Sequence, residues 1–249
     1  MVLPIAARIF IALIVTLGFI VFAVAVRGAQ AIQVALFALF LLTACVSARM
    51  KVKLPGITGN MSVNLPFILF AVTQMGMLEA MLVGCISNLV QCLPKTKQKF
   101  NAVQVAFNFS SMALAVYATR LIFRSSHLAD YVSSIPLRLA IASAGFFLMN
   151  TVLVAIIIFL TERKSIAATW LEMCRLSYPY FLASAGVAGC VLTLASRDAA
   201  WQVAVILALM LGVFYSYRRF FSPLGPEIQS TLGKQGPESE GLTEQRMHA

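Results

Sequence analysis

The chain has 249 residues, 60% of them hydrophobic and 11% charged, with a formal net charge of +10, and its mean hydropathy is +0.89. A soluble domain carries about 25% charged residues, so this composition excludes a water-soluble globule and reads as a polytopic membrane protein. The excess of cations does not point to nucleic acid, which would need a basic face on a soluble domain. Here the lysines and arginines stand at the ends of apolar runs, where they set topology.

Ile5 to Val26 is long enough to cross about 30 Å of hydrocarbon, with Arg8 near its start and Arg27 at its end. Ala23-Val24-Ala25 resembles a cleavage site, but the apolar core exceeds the roughly 7–15 residues of a secretory signal, so the stretch is expected to remain as the first span. Ala31 to Ala48 is the second span, and Arg49, Lys51 and Lys53 hold its end in the cytoplasm. Pro55, Gly56 and Gly59 predict a short irregular connection. Asn60 or Ser62 then caps the next helix, with Pro66 in its first turn.

The apolar run from Val63 to Leu93 is too long for one span and short for two. Gly76, with Glu79 close behind, marks a break into two short helices over about 62–76 and 78–93. Short, glycine-interrupted membrane helices point to a binding site, or equally to two helices packed in a thin bundle. The turn Pro94-Lys95-Thr96-Lys97-Gln98-Lys99 is kept inside by its cations, and Val103 to Phe123 crosses back.

Arg124 to Ser134 reads as a polar outer loop, and Ile135 to Leu160 as a long span stopped by Glu162, Arg163 and Lys164. Ser165 to Arg175 has the spacing of a short amphipathic helix at the inner interface. Ser177 to Ala195 and Ala199 to about Tyr217, the latter stopped by Arg218 and Arg219, complete about eight spans. Positions 1–221 thus form an integral membrane domain, and positions 222–249, polar and rich in Gly and Pro, a disordered cytoplasmic tail. With both termini inside, the inner side collects Arg8, Arg49, Lys51, Lys53, Lys95, Lys97, Lys99, Arg163, Lys164, Arg175, Arg218 and Arg219. The outer side is left with Arg27, Arg120, Arg124, Arg138 and Arg197.

The candidate site is a cluster of amides. Asn88 and Asn108 each lie about five residues, roughly 7 Å of helix, from the basic turn, so they should share a depth. Gln91 shares a helix face with Asn88, and Gln104 with Asn108, so the two pairs can face each other across the hairpin. Asn64, Gln74 and Asn150 can extend the cluster. Amides in hydrocarbon need partners, and the arrangement serves either as interhelical glue or as a small polar pocket open to the cytoplasmic half.

No Asp or Glu lies deep in a span, which disfavours a proton- or cation-coupled carrier. The motifs of metalloproteases, serine hydrolases and nucleotide-binding folds are lacking, so no catalytic, cofactor or metal residue is assigned. Cys45, Cys85, Cys92, Cys174 and Cys190 form no CxxC pair and read as packing residues. Ala185 with Gly189, and Ala204, Ala208 with Gly212, allow close helix approach, within the bundle or at a homodimer seam.

Several stretches carry a family resemblance: Lys53-Leu54-Pro55-Gly56-Ile57-Thr58-Gly59-Asn60-Met61-Ser62; Val90-Gln91-Cys92-Leu93, lysines, then Val103-Gln104-Val105-Ala106-Phe107-Asn108; Asn150-Thr151-Val152-Leu153-Val154; and Trp170 followed by Ser177-Tyr178-Pro179-Tyr180-Phe181-Leu182. Over roughly residues 30–219 the chain resembles the multi-span amino-terminal sensory region that precedes GGDEF or HD-GYP domains in bacterial cyclic-di-GMP signalling proteins. The resemblance implies a sensor without its output, no catalytic residues and no known ligand.

The expectation is therefore an all-α membrane bundle of about eight helices, spans three and four short, in a bacterial inner membrane. It would be a non-enzymatic sensory or ligand-binding module, solvated by the lipid bilayer and acting through a cytoplasmic or membrane signalling partner. The alternative is a small-solute permease or the substrate-binding subunit of a multi-component transporter.

Overall fold

In the computed structural model the described residues are 3–29, 33–53, 60–62, 64–92, 102–193 and 199–221. The elements run α1 (Ile5–Arg27), α2 (Val34–Arg49), β1 (Lys51–Lys53), β2 (Asn60–Ser62), α3 (Leu65–Gln74), α4 (Met77–Cys92), α5 (Ala102–Arg124), α6 (Ser126–Tyr131), α7 (Ile135–Glu162), α8 (Ile166–Thr193) and α9 (Ala199–Phe221). Long apolar runs become helices because each backbone N–H and C=O finds its partner within the run. The fold is all-α, as composition requires, with one small ribbon. α1, α5 and α7 are long and apolar enough to cross a membrane, and the two halves of α8 taken together make a fourth such helix among the described residues.

The fold is built around α3. Nine of its ten residues, Leu65 through Thr73, are buried, which marks a helix enclosed on every side. It packs against α8, α4, α2 and α5. Phe40 of α2 stacks on Phe70 with ring centroids 4.7 Å apart and meets Phe67 edge-on at 6.5 Å. At about 1.5 Å per residue α3 spans only about 15 Å, half the hydrocarbon thickness. α3 and the 16-residue α4 are thus short, as expected, and the break at Met75 and Gly76 lies where the sequence placed it.

Around this centre, α1 lies along α5, α5 along α7, and α7 along α8. Glycines set the close approaches. A β-carbon at Gly18 would overlap Ser110 of α5, one at Gly145 would overlap Ile122, and one at Gly84 would come within 2.8 Å of Val116. Gly189 meets Pro136 of α7, and Ala185 is buried beside it in sequence spacing, so this small-residue pair serves internal packing. Ala204, Ala208 and Gly212 of α9 remain exposed.

Four local expectations are corrected. The connection from Lys53 to Met61 was expected to be irregular; positions 54–59 lie outside the described residues, and its ends pair as an antiparallel ribbon with Lys51 opposite Ser62, Val52 opposite Met61 and Lys53 opposite Asn60. Asn60 and Ser62 therefore lie on β2 and cannot cap α3, which begins after Asn64 with Pro66 in its first turn. The polar loop after α5, expected to be irregular, contains the short helix α6, none of whose residues is buried. The amphipathic segment and span seven, expected as separate helices, join in α8 with a bend of 47° between Ile166–Arg175 and Tyr180–Thr193. Pro179 lies in that bend and lacks the N–H that would bond the carbonyl of Arg175. The basic turn 94–99 and the tail 222–249 lie outside the described residues.

α7 ends on Arg163 in the left-handed region, φ 57°, its N–H bonded to the carbonyl of Phe159. Beside it, Lys164 Nζ lies 2.8 Å from Glu162 Oε2, and that hydrogen bond and charge raise the Lys164 pKa. Both side chains are exposed, so the pair adds little stability.

Two stability predictions follow from the backbone. Replacing Gly18 with Leu should cost about 1–3 kcal/mol in a detergent melt, whereas Gly212→Ala, where a β-carbon meets nothing within 4 Å, should change little. Arg163→Gly should raise stability by about 1 kcal/mol by removing a β-carbon from the left-handed region; an unchanged or lowered melting temperature would contradict it.

Candidate functional site

The polar residues of the short hairpin meet in a layer formed by α3, α4, α5 and α8. Asn88 of α4 donates from Nδ2 to the backbone carbonyl of Asn108 at 2.9 Å, and Asn108 donates to Cys92 Sγ at 3.3 Å. The two asparagines share a depth, as their spacing from the turn demanded. One turn along α4, Ser87 accepts from Asn64 Nδ2 at 2.9 Å and donates to the Gly84 carbonyl at 3.1 Å. The first amide of α3, Leu65 N–H, points to the Tyr180 hydroxyl of α8 at 3.4 Å. Cys85 donates weakly to the Phe109 carbonyl at 3.7 Å.

Asn64 and Ser87 are buried, at 5% and 0% exposure, and each finds the partner that burial requires. Neither Gln91 nor Gln104 is free of partners. Asn150 of α7 is half-buried, and among the described residues no hydrogen bond joins it to this layer. The layer therefore unites Asn64, Asn88 and Asn108 with residues the sequence did not single out for it: Ser87, Cys92 and Tyr180.

Helix direction brings the basic residues to the same end. Leu153 of α7 clusters with Phe107 near the start of α5, and Gly145 meets Ile122 near its end, so α7 is antiparallel to α5. Arg163 and Lys164, both exposed, thus come to the end where α5 begins. The Asn64–Ser87 bond likewise places the start of α3, the ribbon bearing Lys51 and Lys53, and exposed Arg49 toward that end. Arg219 is exposed on α9, which also carries Arg218, while Lys95, Lys97 and Lys99 lie outside the described residues.

The opposite end of α3 holds a group whose role the sequence concealed. Arg120, half-buried on α5, donates from Nη1 to the carbonyls of Val72 and Met75 at 2.7 and 2.5 Å. These are among the carbonyls that the end of a helix leaves unpaired. Glu79, in the first turn of α4, accepts from the Gly76 N–H at 2.5 Å. A guanidinium at the end of one helix and a carboxylate at the start of the next both suit the helix dipoles. Sequence counting had placed Arg120 only as an outer helix-end cation; the available signal was its position one turn inside the apolar run.

An apolar helical bundle with a satisfied polar layer and a clamped central break is a membrane-embedded module. The MASE9 family model matches residues 8–195, from α1 to just past α8, and the chain belongs to this family. MASE regions are membrane-associated sensory regions of cyclic-di-GMP signalling proteins, so the resemblance seen in the sequence holds at the level of family. Comparison with curated proteins and with solved structures returned no match.

Because Arg120 satisfies two carbonyls at once, Arg120→Leu should destabilise the protein by about 2–4 kcal/mol, read from thermal unfolding in detergent. Asn88→Leu, which removes one interhelical bond, should cost about 0.6 kcal/mol. Equal losses from the two variants would remove the distinction drawn here between clamp and layer.

Proposed function

We propose that this protein is a non-enzymatic sensory module of a bacterial inner membrane, with both termini cytoplasmic, about eight spans, and a signalling partner that engages its basic inner face. The observation that carries this reading is the MASE9 match over residues 8–195. The structure adds a physical basis. α3 is a buried half-length helix held at one end by the polar layer and at the other by Arg120, so a change at one end can be passed to the other as a shift of a single packed rod. Short interrupted helices also suit a permease, but the lack of a deep acidic residue gives a coupled carrier no site for its ion.

In this reading the chain alters cellular cyclic-di-GMP through a partner and performs no chemistry of its own. Deleting its gene should shift the cyclic-di-GMP level severalfold, and restoring the chain with Asn88→Leu and Asn108→Leu should leave much of that shift in place while the variant still reaches the membrane. Unchanged cyclic-di-GMP together with lost uptake of a small solute would instead establish the permease reading. A cysteine introduced at Lys97 should be labelled only from the cytoplasmic side; labelling from the periplasm would reverse the orientation.

A further inference from the structure

The break end of the bundle carries three arginines that the polar layer does not use: Arg120 and Arg124, one turn apart on α5, and Arg138 in the first turn of α7. Cations on the outer side run against the topogenic bias, and charges at membrane helix ends ordinarily find partners. Arg120 is held by the α3 carbonyls, repelled by Arg124 and attracted by Glu79, whose carboxylate is itself engaged by Gly76. None of the three arginines forms an ion pair among the described residues.

Arg138 is the least satisfied of them. Its guanidinium lies over the ring of Phe123, 5.5 Å from the centroid, and its Nε is buried with no acceptor. It stands at the start of a 28-residue helix, whose first turn has no acidic residue and whose N-cap Ser134 makes no side-chain hydrogen bond to it. The macrodipole there is positive and opposes a cation, and in the first turn the N–H groups of Ile135 and Leu137 lack intrahelical acceptors, Pro136 having no N–H and that of Arg138 bonding the Ser134 carbonyl. Every one of these unfavourable features becomes favourable with an anion present. An oxyanion would accept from Arg138, lie on the positive end of α7, and offset the charge of Arg124, which is exposed on the last turn of α5.

We propose that the corner formed by the end of α5 and the start of α7 is a binding site for a phosphate-type oxyanion, held by Arg138 and Arg124 and read by α3 through Arg120. The relay is electrostatic. An anion beside Arg124 changes the potential at Arg120, one turn away on α5, whose guanidinium holds the Val72 and Met75 carbonyls. The phosphate can come from a lipid headgroup or from solution, and the chemistry is the same. This assigns a ligand class to the sensory reading, yet binding is measured without any signalling output, so either can fail alone.

The test uses the full chain in maltoside micelles, which contain no phosphate. Inorganic phosphate is titrated in exchange for chloride at constant ionic strength, and in a parallel series phosphatidylglycerol is added to the micelles; the readout is the thermal unfolding midpoint. The midpoint should rise saturably in at least one series. Arg138→Gln and Arg124→Gln should each weaken the apparent affinity about tenfold, whereas Lys164→Gln, at the opposite end, should leave it unchanged. A rise with inorganic phosphate identifies a dissolved ligand, and a rise with phosphatidylglycerol alone identifies the headgroup. Should Arg138→Gln fail to fold, Arg124→Gln, altered at an exposed position, carries the same comparison. No rise in either series, or a rise of equal affinity in the arginine variants, overturns the proposal.

Discussion

A helix of ten residues cannot cross a bilayer, so both ends of α3 must find hydrogen-bond partners inside the protein. An unpaired backbone group in such surroundings costs several kcal/mol, and this single requirement explains which side chains gather around α3. At its start, Tyr180 reaches from α8 to the Leu65 amide while Asn64 is held by Ser87. At its end, Arg120 reaches from α5 to two carbonyls, and Glu79 takes the amide of Gly76 where α4 begins. The neighbouring helices approach closely because Gly84 and Gly145 leave room on their contact faces.

The two ends differ in the kind of interaction they use. At the start the partners are neutral amides and hydroxyls, each bond modest in strength. At the end they are charged, and charge-assisted bonds to backbone groups are about twice as strong. The body of α3 between them is packed against Phe40 and the face of α8 that carries Tyr180 and Phe181. A core packed at crystal-like density moves between discrete arrangements instead of bending continuously. Displacement of α3 is therefore resisted most at the arginine end, and the polar layer is the more readily rearranged of the two.

Much of this was legible in the sequence. Each apolar run coincides with a helix, Gly76 marks the break, and counting residues from the basic turn put Asn88 and Asn108 at one depth. What escaped was long-range. The glycines and proline of 54–59 signal irregular backbone, whereas the pairing of Lys51 with Ser62 depends on where α2 ends and α3 begins. Asn64 stands where a cap is expected, but its side chain goes to Ser87, twenty-three positions away, because burial between α3 and α4 leaves that hydroxyl as its partner. Arg120 looked like any arginine near a helix end until the fold brought the last carbonyls of α3 beside it. Asn150, an amide at mid-helix on α7, is half-buried.

The two small-residue patterns show how far spacing alone carries. Ala185 with Gly189 and Ala204 with Ala208 and Gly212 obey the same rule of four, yet the first pair is closed against α7 while the second lies open. The difference follows the family boundary: α8 falls wholly within the matched region, and α9 lies beyond it. α9 touches the bundle through α8, α2 and β1, and β1 pairs with the strand that leads into α3. The helix outside the matched region is thus joined to the central helix by the short ribbon as well as through α8 and α2, which pack on both. A shift of α3 has a mechanical path to α9 that does not pass through the body of the bundle.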